Sequence, residues 1–182
     1  MHSALSILVL SLPLFSIAQP LWITEKGNIQ FKSDASLELI QAASKEMKGV
    51  IDIQERTFAF SVPVASFQGF NSPLQREHFN ENYMQSAKYP QATFSGRIIE
   101  EADLSKPGEY TVRAKGMLTV HGVSRERIIK SQVVVSASSC KVSSFFTILL
   151  ADHDISIPKV VYQKIAEEIE VRVDAVMNLQ SR

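Results

Sequence analysis

Of the four histidines in the chain, His2 lies in an apolar N-terminal stretch, which leaves His78, His121 and His153 as groups able to do chemistry. The last is flanked by Asp152 and Asp154. Imidazole and carboxylate side chains together can ligate a metal or form a general base with its orienting acid. Their spacing favours neither. No HExxH, HxH or CxxC pattern is present, so a metal site would need the fold to gather residues from distant loops. Neighbouring residues on a strand point to opposite faces, so Asp152 and His153 cannot both address one substrate there without a break in the strand. There is no G-x-S-x-G elbow for a serine nucleophile and no glycine-rich phosphate loop. Glu77 and Glu81 stand i, i+4 on an expected helix, where a solvated face explains them. The expectation is a protein that is not an enzyme, with no catalytic centre, no metal and no cofactor.

Charge narrows the partners. Lys+Arg and Asp+Glu each total 19 in 182 residues, a balance that gives no field to collect nucleic acid or an anionic surface. The stretch Leu5 to Ile17 carries no acidic or basic side chain, and Ser16-Ile17-Ala18 offers small residues at the −3 and −1 positions of a cleavage site. Residues 1–18 are therefore expected to be a signal peptide, leaving a single domain over 19–182 with no membrane-spanning segment. Cys140 is the sole cysteine, so no intrachain disulfide can form. It is expected as a buried small hydrophobe in a strand, with an interchain bridge as the alternative. Assembly as a homodimer is left open.

The elements that would position any site follow from period-two alternation. In Thr57–Ala65, Phe58, Phe60, Val62 and Val64 share one face. Near the C-terminus, Ile169, Val171, Val173, Ala175 and Met177 oppose Glu168, Glu170, Arg172 and Asp174. Further strands are expected at Asn28–Asp34, Lys45–Ile53, Ala92–Glu100, Tyr110–His121, Arg127–Ser138 and Ser143–Leu150. Gly116 marks a candidate bend and Pro63 an edge, bulge or bend, while Ser36–Ser44 is ambiguous between strand and helical turn. About eight strands joined by short turns fit an up-and-down antiparallel barrel, mainly β, with a two-sheet sandwich as the alternative. One crossover helix is expected near residues 73–86. Ser72 is its N-cap, Pro73 its first residue and Gln75 its capping-box partner, with Phe79, Tyr83 and Ala87 on one stripe.

The ten phenylalanines would line the interior of such a barrel, either filling it or leaving space for one slender ligand. At His78-Phe79-Asn80-Glu81-Asn82-Tyr83, at Lys88-Tyr89-Pro90 with Ala92 and Phe94, and at Leu118-Thr119-Val120-His121-Gly122-Val123, the chain resembles the YceI-like family. The resemblance runs from about Ile23 to Met177. It implies a secreted bacterial protein with a lipocalin-like barrel that holds long isoprenoid or other lipid chains. Glu77-His78-Phe79 is similar to the family's acidic-His-Leu helix start, and Asn82-Tyr83-Met84 to its Asp-Phe-aliphatic step. Two stretches depart from the pattern: Gly27–Leu39 lacks the family's early histidines, and Asp152-His153-Asp154-Ile155 stands where Asp-Phe-Gly-Ile is frequent.

Taken together, the expected function is periplasmic binding of an isoprenoid or acyl chain for carriage or sequestration. The alternative is a packed barrel that serves envelope stress or protein interaction. Phe31, Phe58, Phe60, Val62, Phe94, Ile169 and Val171 are expected to line the interior. His78, Asn82 and Tyr83 are expected at the mouth, with helix anchoring as the alternative role of these three.

Overall fold

A computed structural model describes residues 20–181, so the expected signal peptide lies outside the described residues. Eight strands run in order β1 (Pro20–Asp34), β2 (Leu39–Asp52), β3 (Thr57–Pro63), β4 (Gln91–Ile98), β5 (Gly108–Val120), β6 (Val123–Val135), β7 (Ser139–Leu149) and β8 (Glu168–Ser181). Each pairs antiparallel with the next, and β8 pairs back onto β1 through Phe31↔Val171 and Ile29↔Val173, closing the barrel. The sandwich alternative is excluded, because closure leaves no free edge.

The first hairpin extends well beyond its expected bounds. β1 starts at Pro20 rather than Asn28, and the ambiguous Ser36–Ser44 stretch contributes the start of β2. Register shifts near Gly27 explain both differences. Before the shift Trp22 and Thr24 are buried; after it Gly27 and Ser33 are buried, so the inward parity changes from even to odd. In β2, Ile40, Ala42 and Ser44 precede the switch, and Met47, Gly49 and Ile51 follow it. A bulge inserts one unpaired residue and reverses the faces, which destroys simple alternation.

Two glycines allow β4 and β5 to approach closely. Gly96 and Gly116 are direct register partners, and a Cβ on either would collide with the partner strand's backbone. The β5–β6 turn has only His121 and Gly122 at its centre, both at positive φ, 51° and 74°. That is the backbone demanded by a tight hairpin of this twist. Tyr89 lies over Gly122 where a side chain would otherwise stand.

Between β3 and β4 the chain forms α1 (Pro73–His78), which continues as a π-helical turn over Phe79–Tyr83. Ser72 Oγ accepts from the Gln75 backbone N–H at 3.1 Å, as an N-cap should. The Gln75 side chain accepts from the Asn71 N–H at 3.0 Å, one residue before the cap, so the expected capping box is displaced by one position. Pro63 ends β3, and neither an edge nor a bulge is involved.

Cys140 is buried in β7, and burial pushes its thiol up to about 11. It should therefore resist a soluble aromatic disulfide reagent at pH 8 until the protein is unfolded, since the thiolate is the reactive species. Rapid labelling of the native protein would show that β7 opens.

Candidate functional site

The inward faces of the barrel leave a cavity in two parts. The larger, about 480 Å³, lies beneath α1 and is lined by residues that include Phe31, Phe67, Phe70, Phe79, Leu118 and Val171. The smaller, about 110 Å³, lies deeper among Phe58, Phe60, Phe94, Val112, Ile129 and Val142. Ile29, Val62, Ala92, Leu118 and Phe146 line both parts and form the waist between them.

Aromatic packing gives the outer chamber its shape. Phe31 stacks on Phe79 with centroids 5.3 Å apart and planes at 16°, while Phe67 and Phe70 lie 5.5 and 5.9 Å from Phe31. Such contacts add about 0.5–1.5 kcal/mol per pair beyond area burial. They fix the helix over the barrel through Phe79. A second group, Phe58 with Phe94 at 4.8 Å and Phe60 at 6.2 Å, stands in the inner chamber. Phe60 packs against Gly49, where the missing side chain makes room for its ring.

Several polar groups on these walls bond to each other or to the backbone. Ser131 Oγ and Ser144 Oγ are 2.7 Å apart, and Ser33 Oγ accepts from the Ala166 N–H at 2.9 Å. At the outer end Glu38 Oε1 accepts from Gln75 Nε2 at 3.0 Å. Burial raises the Tyr83 phenol above its ordinary value, which keeps it neutral. The wall is thus apolar and uncharged in depth, with Glu38, His78 and Lys164 confined to the opening. Such a surface can hold a hydrocarbon chain by burial alone.

The expected interior residues divide between the chambers. Phe58, Phe60 and Phe94 line the inner part, Phe31, Ile169 and Val171 the outer part, and Val62 both. His78 and Tyr83 line the outer chamber, His78 from the exposed end of α1. Asn82 is exposed and lines neither chamber, so the structure does not bring it together with the other two. Sequence reasoning missed Phe67 and Phe70, which lie in an irregular segment with no periodicity to expose them. It also missed Phe146 and Ile148, whose shared parity with Val142 was hidden because apolar residues fall on both faces of Phe145–Leu150, where Thr147 alone is polar.

The other two histidines hold loops together beside the chamber. His121 Nδ1 donates to the His153 carbonyl at 3.1 Å, and His153 Nδ1 donates to the Val123 carbonyl at 3.0 Å. The His121 ring meets Tyr89 edge-on at 4.9 Å. His153 is fully buried and lines neither chamber. Among the described residues, no group of three or more His, Cys, Asp or Glu side chains is placed to hold a metal.

The departure at Asp152–Ile155 has a clear backbone setting. Asp154 sits in the left-handed region at φ 54°, ψ 32°, and its side chain is exposed. Glycine adopts this conformation without the Cβ penalty. Asp154→Gly should raise stability by roughly 0.5–1 kcal/mol, read as a higher urea midpoint at unchanged m-value. A lower midpoint would show that the aspartate makes a compensating interaction.

Solved structures share this architecture. A polyisoprenoid-binding domain from Saccharophagus degradans, implicated in plant cell wall breakdown, is 15% identical with a TM-score of 0.74, covering 92% of this chain and 100% of that one. BcnA of Burkholderia cenocepacia is 16% identical with a TM-score of 0.68, over 82% of this chain and 95% of its own. A YceI protein of Campylobacter jejuni is 13% identical with a TM-score of 0.58, over 99% and 95%. At these identities the likeness is one of fold. No curated protein sequence matches the chain. The family model for the YceI-like domain matches residues 22–177, from the inward Trp22 of β1 to the buried Met177 of β8. With nearly the whole barrel inside that match, the chain belongs to the YceI-like family.

Proposed function

We propose that this protein is a non-enzymatic periplasmic binding protein whose barrel, formed by the mature residues 19–182, holds the apolar chain of an isoprenoid or acyl lipid for carriage or sequestration. The observation that carries the reading is the apolar cavity narrowing from about 480 Å³ to about 110 Å³, with charge confined to its opening. Its size is within the range of ordinary small-molecule pockets, about 300–1,000 Å³. A packed interaction module would instead fill this space with side chains. The polyisoprenoid-binding relative from Saccharophagus degradans supports a prenyl chain as the first candidate. Export rests on the apolar N-terminal stretch and its Ser16-Ile17-Ala18 site.

Each methylene buried contributes about 0.8 kcal/mol, so affinity can be high with few polar contacts. Selectivity then follows from the length and bore of the cavity rather than from head-group recognition. The test is the native mass of protein recovered from its own cell envelope without detergent. One added prenyl or acyl lipid per chain is expected. An apo mass, with no uptake when such lipids are offered, would overturn the reading.

A further inference from the structure

We propose, resting on the lipid-binding reading above, that the loops around the cavity opening form a membrane-docking rim through which the barrel takes its chain from a bilayer surface. The most exposed large apolar side chain of the described residues is Val160, at 89%. Leu37 and Tyr162 follow at 67% and 64%, and Leu74 on α1 is exposed as well.

These side chains come from three segments that hydrogen bonds join into one rim. The Leu37 N–H donates to the Gln163 carbonyl at 2.9 Å, tying the β1–β2 turn to the 158–165 segment. Gln75 Nε2 donates to Glu38 at 3.0 Å, and Asn71 Nδ2 donates to the Leu39 carbonyl at 3.0 Å, tying the same turn to α1. The rim is continuous with the cavity. Within 158–165, Val161 and Ile165 line the outer chamber, whereas Val160 and Tyr162 are not part of its wall. Leu74 is both exposed and part of that wall.

Within 158–165 the only charged side chains are two lysines. Lys159 and Lys164 bracket Val160–Tyr162, both are exposed, and neither lies within ion-pair distance of a carboxylate among the described residues. The one acid on the cavity wall, Glu38, is engaged by the amides of Gln75 and Asn71. Exposed aliphatic side chains beside a tyrosine and unpaired lysines are the composition that settles at a bilayer interface, with lysines near anionic head groups. Apolar residues elsewhere on the barrel wall are set among charges, as in the row Val134↔Lys141↔Val176. The rim differs in standing at loop tips around an opening. Docking there would let a chain pass from bilayer to barrel without crossing water.

The test compares the protein with a Leu37→Asp/Val160→Asp variant. Neither side chain lines the cavity, so the barrel should be undisturbed. Flotation with vesicles of phosphatidylethanolamine and phosphatidylglycerol is measured first, then transfer of a pyrene-labelled long-chain fatty acid from those vesicles. The same probe delivered as monomer from cyclodextrin serves as the control. The variant should lose flotation and take up the probe from vesicles at least tenfold more slowly, with unchanged affinity for the monomeric probe. Equal transfer rates, or a wild-type protein that does not float with vesicles, would overturn the proposal. So would a variant that changes only the sedimentation of the protein, since the rim would then be an interface between copies. Absence of uptake from either source would count against the cavity reading, and flotation would still decide the rim.

Discussion

Ala92→Trp should weaken binding of a long apolar chain by roughly 100-fold or more while leaving the barrel folded. Ala92 has the smallest side chain at the waist and lies beside both apolar clusters of the barrel. An indole there would project into open volume and divide the inner chamber from the outer. The inner chamber, about 110 Å³, holds about four methylene-sized groups if each takes the ~30 Å³ of one water in the liquid. Excluding four methylenes costs about 3 kcal/mol of binding, which is the stated loss in affinity. A chain short enough to stay in the outer chamber should bind nearly as before. Isothermal titration with a homologous series of chains reads both effects. Equal affinity of wild type and variant for the longest chain would mean that the inner chamber is not used.

Gly96→Val should be the most damaging single change to the fold, at about 3 kcal/mol or more. The obstacle to a Cβ at Gly96 is the backbone of Lys115 and Gly116 on β5, which cannot swing aside as a side chain can. Accommodating it must separate β4 from β5 or distort the register, and either opens the barrel. For a domain of this size the loss corresponds to a fall in melting temperature of about 6–12 °C. Gly49→Ala is the informative contrast: its added methyl meets the Phe60 ring, which has the inner chamber to move into. It should cost less stability and reduce long-chain binding instead. Melting within about 2 °C of wild type for Gly96→Val would show that the two strands are not held in close contact.

Much of the fold is legible because six of the eight barrel strands keep their alternation over most of their length. Phe58, Val62 and Val171 face inward as their parity demands. The first hairpin is the instructive exception. It holds the longest strand of the barrel, yet the bulge near Gly27 reverses parity midway and leaves Ser36–Ser44 unreadable by period. The helix start was legible in Ser72-Pro73, whereas its continuation as a π turn over Phe79–Tyr83 has no local sequence signal.

The site is less legible than the fold for a related reason. Alternation says which residues face inward, but not whether their side chains fill the space. The outer chamber exists because α1 is held above the strands by Phe67, Phe70 and Phe79, two of which come from an aperiodic loop. The role of Ala92 was equally hidden, since it comes from being the small residue between two groups of large ones. Asn82 illustrates the reverse case. It was expected at the mouth from its place beside Tyr83, and it lies in the π turn, exposed and off the cavity wall.

The most direct measurement of a chain held inside the barrel is the set of intermolecular nuclear Overhauser contacts between a bound long-chain prenyl alcohol and the protein's methyl groups. The expected result is contact from mid-chain to Ile29 and Leu118 at the waist, and from the terminal isoprene to Ile129, Val142 and Val173 in the inner chamber. Contacts confined to Leu37 and Val160 outside the opening, with none to the waist, would contradict it.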